Sequence, residues 1–227
     1  MAMDPDSADT RNNLGVISRA LGKNAEAEQF LRQAVRLRPE VPSIRLNLAD
    51  LLVRKGSLAE AKYHFEAALR IDGASAAAHS GYAGLLLDMG DMAAARTEYE
   101  EAVRLDSKLS EAHNNLGSIL LQSGDAPGAI GEYRLAVAAT PDSATAHYNL
   151  ALALAQTGNS AAAEQSLKTA IAHAPDFFAA HLKLGQLLMV RRRPDLAAPY
   201  LHKAAESPDP GTRQAAKELL MATNEHQ

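Results

Sequence analysis

Four histidines set the frame for the whole chain: His79, His113, His147 and His181 lie 34 residues apart, three times in succession. A fixed period of 20–50 residues marks a stacked architecture in which one small unit is built repeatedly. With the histidines at position 4, the units fall at 8–41, 42–75, 76–109, 110–143, 144–177 and 178–211. Other columns then align. Position 8 is always small (Gly15, Ala49, Ala83, Gly117, Ala151, Gly185), and position 20 is always Ala, from Ala27 to Ala197. Position 27 is Ala again, from Ala34 to Ala204, while position 24 is large: Leu31, Phe65, Tyr99, Tyr133, Leu167 and Leu201.

Each column has a physical reading. Gly22, Gly56, Gly90, Gly124 and Gly158 stand at position 15, where a residue of positive φ ends one helix and lets a second begin. Pro39, Pro141 and Pro175 at position 32 stop that second helix. Small residues at positions 8, 20 and 27 allow two helix backbones to approach, and the large residue at 24 fills the space beside them. The unit is thus two antiparallel helices of about 14 residues with apolar side chains at i, i+3, i+4 spacing. A lone hairpin cannot bury both faces, so neighbouring units must supply one another's core. Hydrophobic residues reach 47% but aromatics only 4%, which suits closely packed helices rich in Ala and Leu.

These units resemble tetratricopeptide repeats over residues 8–211, and the resemblance implies an all-α, right-handed α-solenoid of helix–turn–helix repeats. Position 4, usually aromatic in that family, is Arg11 and Arg45 in the first two units and His afterwards. The sixth unit replaces its turn glycine with Arg192 and carries Pro199 inside its second helix, which predicts an irregular helix. Residues 212–222 read as a capping helix with Ala215, Ala216, Leu219 and Leu220 toward the stack and Arg213, Lys217 and Glu218 toward water, followed by a tail at 223–227. Residues 1–7 read as a junction, because Pro5-Asp6-Ser7-Ala8 repeats Pro141-Asp142-Ser143-Ala144. The expectation is a chain cut from a longer array or a multidomain protein.

Several function classes recede. With no cysteine there is no thiol catalysis, haem attachment or cysteine-ligated metal. A net charge of −4 argues against a nucleic-acid surface and a polybasic membrane anchor, and no run approaches the roughly 20 apolar residues of a membrane span. No apolar leader stands in residues 1–7, which makes the cytoplasm the default expectation. The spacing of the four histidines places them about 8–10 Å apart or more, too far to share a metal, so packing is their expected role. Arg191-Arg192-Arg193 is read as a solvated loop, with an anion contact as the sharper alternative. No phosphate loop, zinc-protease pair, nucleophile elbow or calcium loop is present. The expectation is a chain that is not an enzyme and takes no cofactor or metal.

The resemblance also implies a binding face. In tetratricopeptide repeats position 6 lies on the first helix and faces the concave groove; here it is Asn13, Asn47, Asn115 and Asn149, then Lys183 in the last unit. A side-chain amide can pair with both the N–H and the C=O of an extended ligand residue. The flanking groove positions are Asn114, Tyr148, Leu152, Gln156 and Gln186, while Gly81 and Gly84 leave the third unit bare, an opening for a bulky ligand side chain. The carboxylate clamp of chaperone-binding relatives is not matched, because Ala77 and Ala179 stand where a basic residue is needed. The expected function is a scaffold or adaptor that holds a protein or peptide partner. Two alternatives stay open: the substrate-presenting arm of a larger enzyme such as a protein O-glycosyltransferase, or a spacer that self-associates.

Overall fold

The computed structural model describes residues 7–224. The junction at residues 1–6 and the end of the tail at 225–227 lie outside the described residues. Among those described are thirteen α-helices and no strand, so the chain is all-α, built as an α-solenoid. Its contacts divide it into two compact units, one up to Ser107 and one from Lys108 onward.

The first unit holds α1 (Ala8–Ala20), α2 (Asn24–Leu37), α3 (Pro42–Arg54), α4 (Leu58–Ile71), α5 (Ala76–Asp88) and α6 (Met92–Leu105). The second holds α7 (Ser110–Gln122), α8 (Ala126–Ala139), α9 (Ala144–Gln156), α10 (Ser160–His173), α11 (Phe178–Val190), α12 (Pro194–Ala204) and α13 (Pro210–Asn224). Helices pair within each hairpin, α1 with α2 through to α11 with α12. Hairpins then stack: α2 on α3 and α4 on α5 in the first unit, α8 on α9 and α10 on α11 in the second.

Local chemistry starts and stops these helices. Ser75, Asp91, Asp125, Ser143 and Asn159 each accept a hydrogen bond from a backbone N–H in the first turn that follows, satisfying a donor that the helix leaves orphaned. The five turn glycines sit at φ between +74° and +86°, and Arg192 takes the same role at +56°. The small column at position 8 is a packing requirement. A Cβ placed on Gly117 would lie 2.8 Å from Tyr133 Cε1, and one on Gly185 would lie 2.4 Å from Leu201 Cδ2. Position 24 therefore fills its own hairpin, with Phe65, Tyr99 and Tyr133 buried; each such side chain contributes about 1.5–3 kcal/mol by leaving water.

Position 4 closes the loop between hairpins. His79, His147 and His181 each set Nε2 2.9–3.1 Å from the carbonyl oxygen six residues earlier, on Gly73, Pro141 and Pro175. Arg45 donates to Pro39 O in the same way. His79 and His113 also set Nδ1 2.6–2.7 Å from a second-helix glutamate, Glu98 and Glu132. A polar ring is tolerated in this column because a backbone acceptor waits for it.

The last hairpin departs from the others. α12 has 11 residues where the other second helices have 14, and Pro199 lies inside it. The helix after it, α13, starts at Pro210, two residues before the expected cap, and packs on α12 and α11. Arg213, expected to face water, reaches back to Ser207 O at 2.8 Å. That contact spans six residues, like the one from Arg45, so α13 enters as a first helix shifted by two residues.

Candidate peptide-binding face

The first-helix asparagines are organised in pairs. In the first unit Asn47 Nδ2 donates to Asn12 Oδ1 at 2.9 Å. In the second, Asn149 Nδ2 donates to Asn114 Oδ1 at 2.9 Å. Both bonds join adjacent hairpins through residues 35 positions apart. Part of each amide's capacity therefore holds neighbouring first helices in register. What each pair leaves is one carbonyl oxygen, on Asn47 or Asn149, and one NH₂ group, on Asn12 or Asn114.

The remaining predicted residues are less uniform. Asn13 is exposed beside Thr10, Leu14, Val16 and Ile17. Asn115 is half-buried and takes no part in the Asn114–Asn149 bond. Tyr148 is half-buried against Phe177, with ring centroids 4.9 Å apart, and burial raises its phenol above the ordinary tyrosine range. Leu152 and Gln186 are half-buried, while Gln156 and Lys183 are exposed. Asn12 is the residue that the single-column reading missed. The Asn-Asn doublets at 12–13 and 114–115, each with an asparagine 35 residues on, were the available signal.

Gly81 is not a bare stretch. A Cβ there would meet Phe65 Cε1 at 2.7 Å, so the ring from α4 requires the glycine. Gly84 has only an ordinary contact with Tyr99. The arginine triplet also has a structural task. Arg191 pairs closely with Glu164 on α10, and Arg193 lies 3.5 Å from the same carboxylate, while Arg192 forms the left-handed turn.

That carboxylate is one of two similar anchors. Glu164, buried on α10, also accepts from Lys168 at 2.7 Å. Lys168 first, with Arg191 and Arg193, holds it below the usual carboxylate range. In the first unit Glu28 on α2 pairs with Lys55 at the end of α3 and with Arg32, which reaches Glu60 on α4 as well. Hydrogen bonds from Lys55 and then Arg32 lower Glu28 likewise. In each unit a second-helix glutamate locks onto the turn of the following hairpin.

Stacked helical hairpins with polar and apolar side chains along their first helices define a repeat protein of the scaffold class. Family models described as Tetratricopeptide repeat match residues 7–41, 46–110, 83–144, 114–168 and 148–211. The chain belongs to the tetratricopeptide repeat family, and its general role is that of a protein–protein interaction scaffold. No curated protein matches it in sequence. Among solved structures it is similar to Pseudomonas aeruginosa pilF, at 20% identity and a TM-score of 0.83, over 93% of this chain and 96% of that one. It is also similar to the structure titled APC/C hetero-tetramer Cut9-Hcn1, at 18% identity and a TM-score of 0.80. That match covers 97% of this chain but only 43% of the other. YrrB, described as a TPR protein with an unusual peptide-binding site, matches at 21% identity and a TM-score of 0.69, over 83% of this chain and 97% of that one. At these identities the likeness is one of fold. Among the described residues no helix is long and apolar enough to cross a membrane.

Proposed function

We propose that the chain is a non-catalytic adaptor whose first-helix face holds an extended segment of a partner polypeptide. The observation that carries this reading is the Asn114–Asn149 pair beside Tyr148 and Leu152 on α9. The pair leaves the NH₂ group of Asn114 and the carbonyl oxygen of Asn149, which complement the C=O and N–H of an extended ligand. Tyr148, braced by Phe177, and Leu152 supply apolar surface for an alternate side chain. Backbone pairing of this kind is indifferent to ligand sequence, so selectivity falls to Tyr148, Leu152, Gln186 and the Lys183 charge.

A net hydrogen bond contributes about 0.5–1.5 kcal/mol, and ordering a flexible ligand offsets part of it. Affinity on the order of micromolar follows. The test is affinity capture from the source cell's lysate, comparing the natural chain with Asn114→Ala/Asn149→Ala after circular dichroism has shown equal helicity. A partner retained by the natural chain and lost by the variant supports the groove. Identical retention by both overturns it.

A further inference from the structure

The two glutamate anchors hold the same place in their hairpins and differ in what surrounds them. Glu28 and Glu164 both stand at position 21, with Arg32 and Lys168 at position 25 and Lys55 and Arg191 at position 14 of the next unit. The match extends to single atoms. Oε1 of each glutamate accepts from the position-25 cation, at 2.8 Å from Arg32 and 2.7 Å from Lys168. Oε2 pairs with the position-14 cation, Lys55 or Arg191. The clusters part at position 19 of the next unit. In the second hairpin it is Glu60, whose two carboxylate oxygens both accept from the Arg32 guanidinium. In the last hairpin it is Leu196.

The backbone around that position is alike in both. α4 and α12 each begin at position 17, with Leu58 and Pro194, and each buries the alanine of position 20, Ala61 or Ala197, at 0% exposure. Leu196 thus stands where a carboxylate would reach the position-25 cation, and it is 47% exposed. The charges no longer balance. In the first unit two carboxylates, Glu28 and Glu60, meet two cations, Arg32 and Lys55. In the second, Glu164 alone meets Lys168, Arg191 and Arg193. Arg192 adds an exposed fourth cation to the turn, and Asp195, in the first turn of α12, adds one carboxylate. Two positive charges remain in excess. Glu164 has no oxygen left for them, since Oε1 accepts from Lys168 and Oε2 pairs with both arginines. Apolar surface adjoins this excess. Val190, the last residue of α11, is 82% exposed, where the second hairpin has Arg54.

We infer that the α11–α12 turn, with Lys168 of α10, is a docking surface for a partner polypeptide that presents an Asp or Glu side chain next to an aliphatic residue. The partner's carboxylate takes the place that Glu60 fills in the first unit, held by charge-assisted hydrogen bonds from Lys168 and the arginines. Its aliphatic neighbour covers Leu196 and Val190, a contact that a free anion cannot make. The surface uses none of the first-helix asparagines, so it stands or falls apart from the peptide-binding reading.

The test is a titration of the 227-residue chain with two capped heptapeptides, GSLELSG and GSLQLSG, followed through the backbone amide NMR shifts. GSLELSG is expected to move the amides of Lys168, Arg191, Arg192, Arg193 and Leu196, and to bind at least about fivefold more tightly than GSLQLSG. Raising sodium chloride from about 0.05 to about 0.5 M should weaken it severalfold by screening. Leu196→Glu supplies the carboxylate from within, as Glu60 does, and is expected to weaken GSLELSG at least about tenfold at unchanged helicity. Leu196→Gln removes the leucine without adding charge and should weaken it less than about threefold. Equal losses in the two variants overturn the inference, as do equal binding of the two peptides, no shifts, or shifts at other residues only. The same shifts from sodium acetate or sodium phosphate at equal concentration would reduce the surface to a simple anion site and also overturn it. Concentration-dependent shifts without peptide, with a dimer by light scattering, would assign the surface to a second copy instead.

Discussion

The turn between α9 and α10 and the turn between α11 and α12 have the same hydrogen bonds but not the same residue. Gly158 N donates to Ala155 O and Asn159 N to Leu154 O; Arg192 N donates to Met189 O and Arg193 N to Leu188 O. The four distances lie between 2.9 and 3.0 Å. Gly158 sits at φ +82° and Arg192 at +56°. The turn is therefore imposed by the packing of the two helices, and glycine is only its least strained occupant. The flanking residues make the difference tolerable. Arg191 and Arg193 tie the strained turn to Glu164 on α10, whereas the Gly158 turn needs no such tether. Beyond the turns, α10 runs for 14 residues and α12 for 11.

The largest test of this contrast is to empty the two hairpins. Leu167→Ala and Leu201→Ala each remove a buried side chain and should cost about 2–5 kcal/mol in urea unfolding. Leu201→Ala should be the worse of the two, because Gly185 opposite it has no methyl to fill the hole while Ala151 faces Leu167. Equal costs would show that the irregular hairpin closes around the loss.

Adding a methyl is the next step down. Gly185→Ala drives a Cβ against Leu201 and should cost about 1–3 kcal/mol. In the Leu201→Ala background the same change should be neutral or favourable, giving a coupling that a double-mutant cycle reads directly. Additive costs would mean that the two residues do not share a site.

Removing the tether comes third. Glu164→Gln should lower stability by about 1–2 kcal/mol at neutral pH, with the loss concentrated in the α11–α12 hairpin. The sign with pH follows from the lowered carboxyl. The folded protein holds the ionised form more tightly than the unfolded chain. The contribution of Glu164 is therefore complete above the ordinary glutamate value of 4.5 and is lost as pH falls through the lower folded value. Unfolding curves of natural and Glu164→Gln protein should converge on acidification below pH 4.5; parallel curves would remove Glu164 from the network.

The smallest effect is at the turn itself. Arg192→Gly should raise stability by about 0.5–1 kcal/mol, because glycine takes positive φ without the Cβ penalty but carries more entropy when unfolded. Gly158→Arg, which puts a Cβ at φ +82°, should lower stability by about 1 kcal/mol. A loss on Arg192→Gly would show that the Arg192 side chain contributes more than its strain costs.

The hairpin boundaries were legible because they depend on local chemistry. A glycine at position 15, a capping Ser, Asp or Asn, and Ala and Leu at helical spacing act within a few residues of themselves. The Gly117–Tyr133 and Gly185–Leu201 contacts were legible too, since two columns of opposite size fill one hairpin. The face of the first helices was only half legible. Asn47 and Asn149 looked like independent ligand readers, and each proved to donate to an asparagine of the neighbouring hairpin. Gly81 looked like an opening and is a seat for Phe65. Arg191 and Arg193 are exposed, as a solvated loop requires, and their pairing with Glu164 is what the sequence did not show.

The sequence by itself determined the repeat, the two helices within it and the family, because periodicity and turn chemistry need no knowledge of what lies across the interface. The tertiary structure alone decided which side chains meet between one hairpin and the next. Those meetings depend on small rotations and shifts of packed helices, and a change of an ångström makes or breaks a bond such as the one between Asn149 and Asn114.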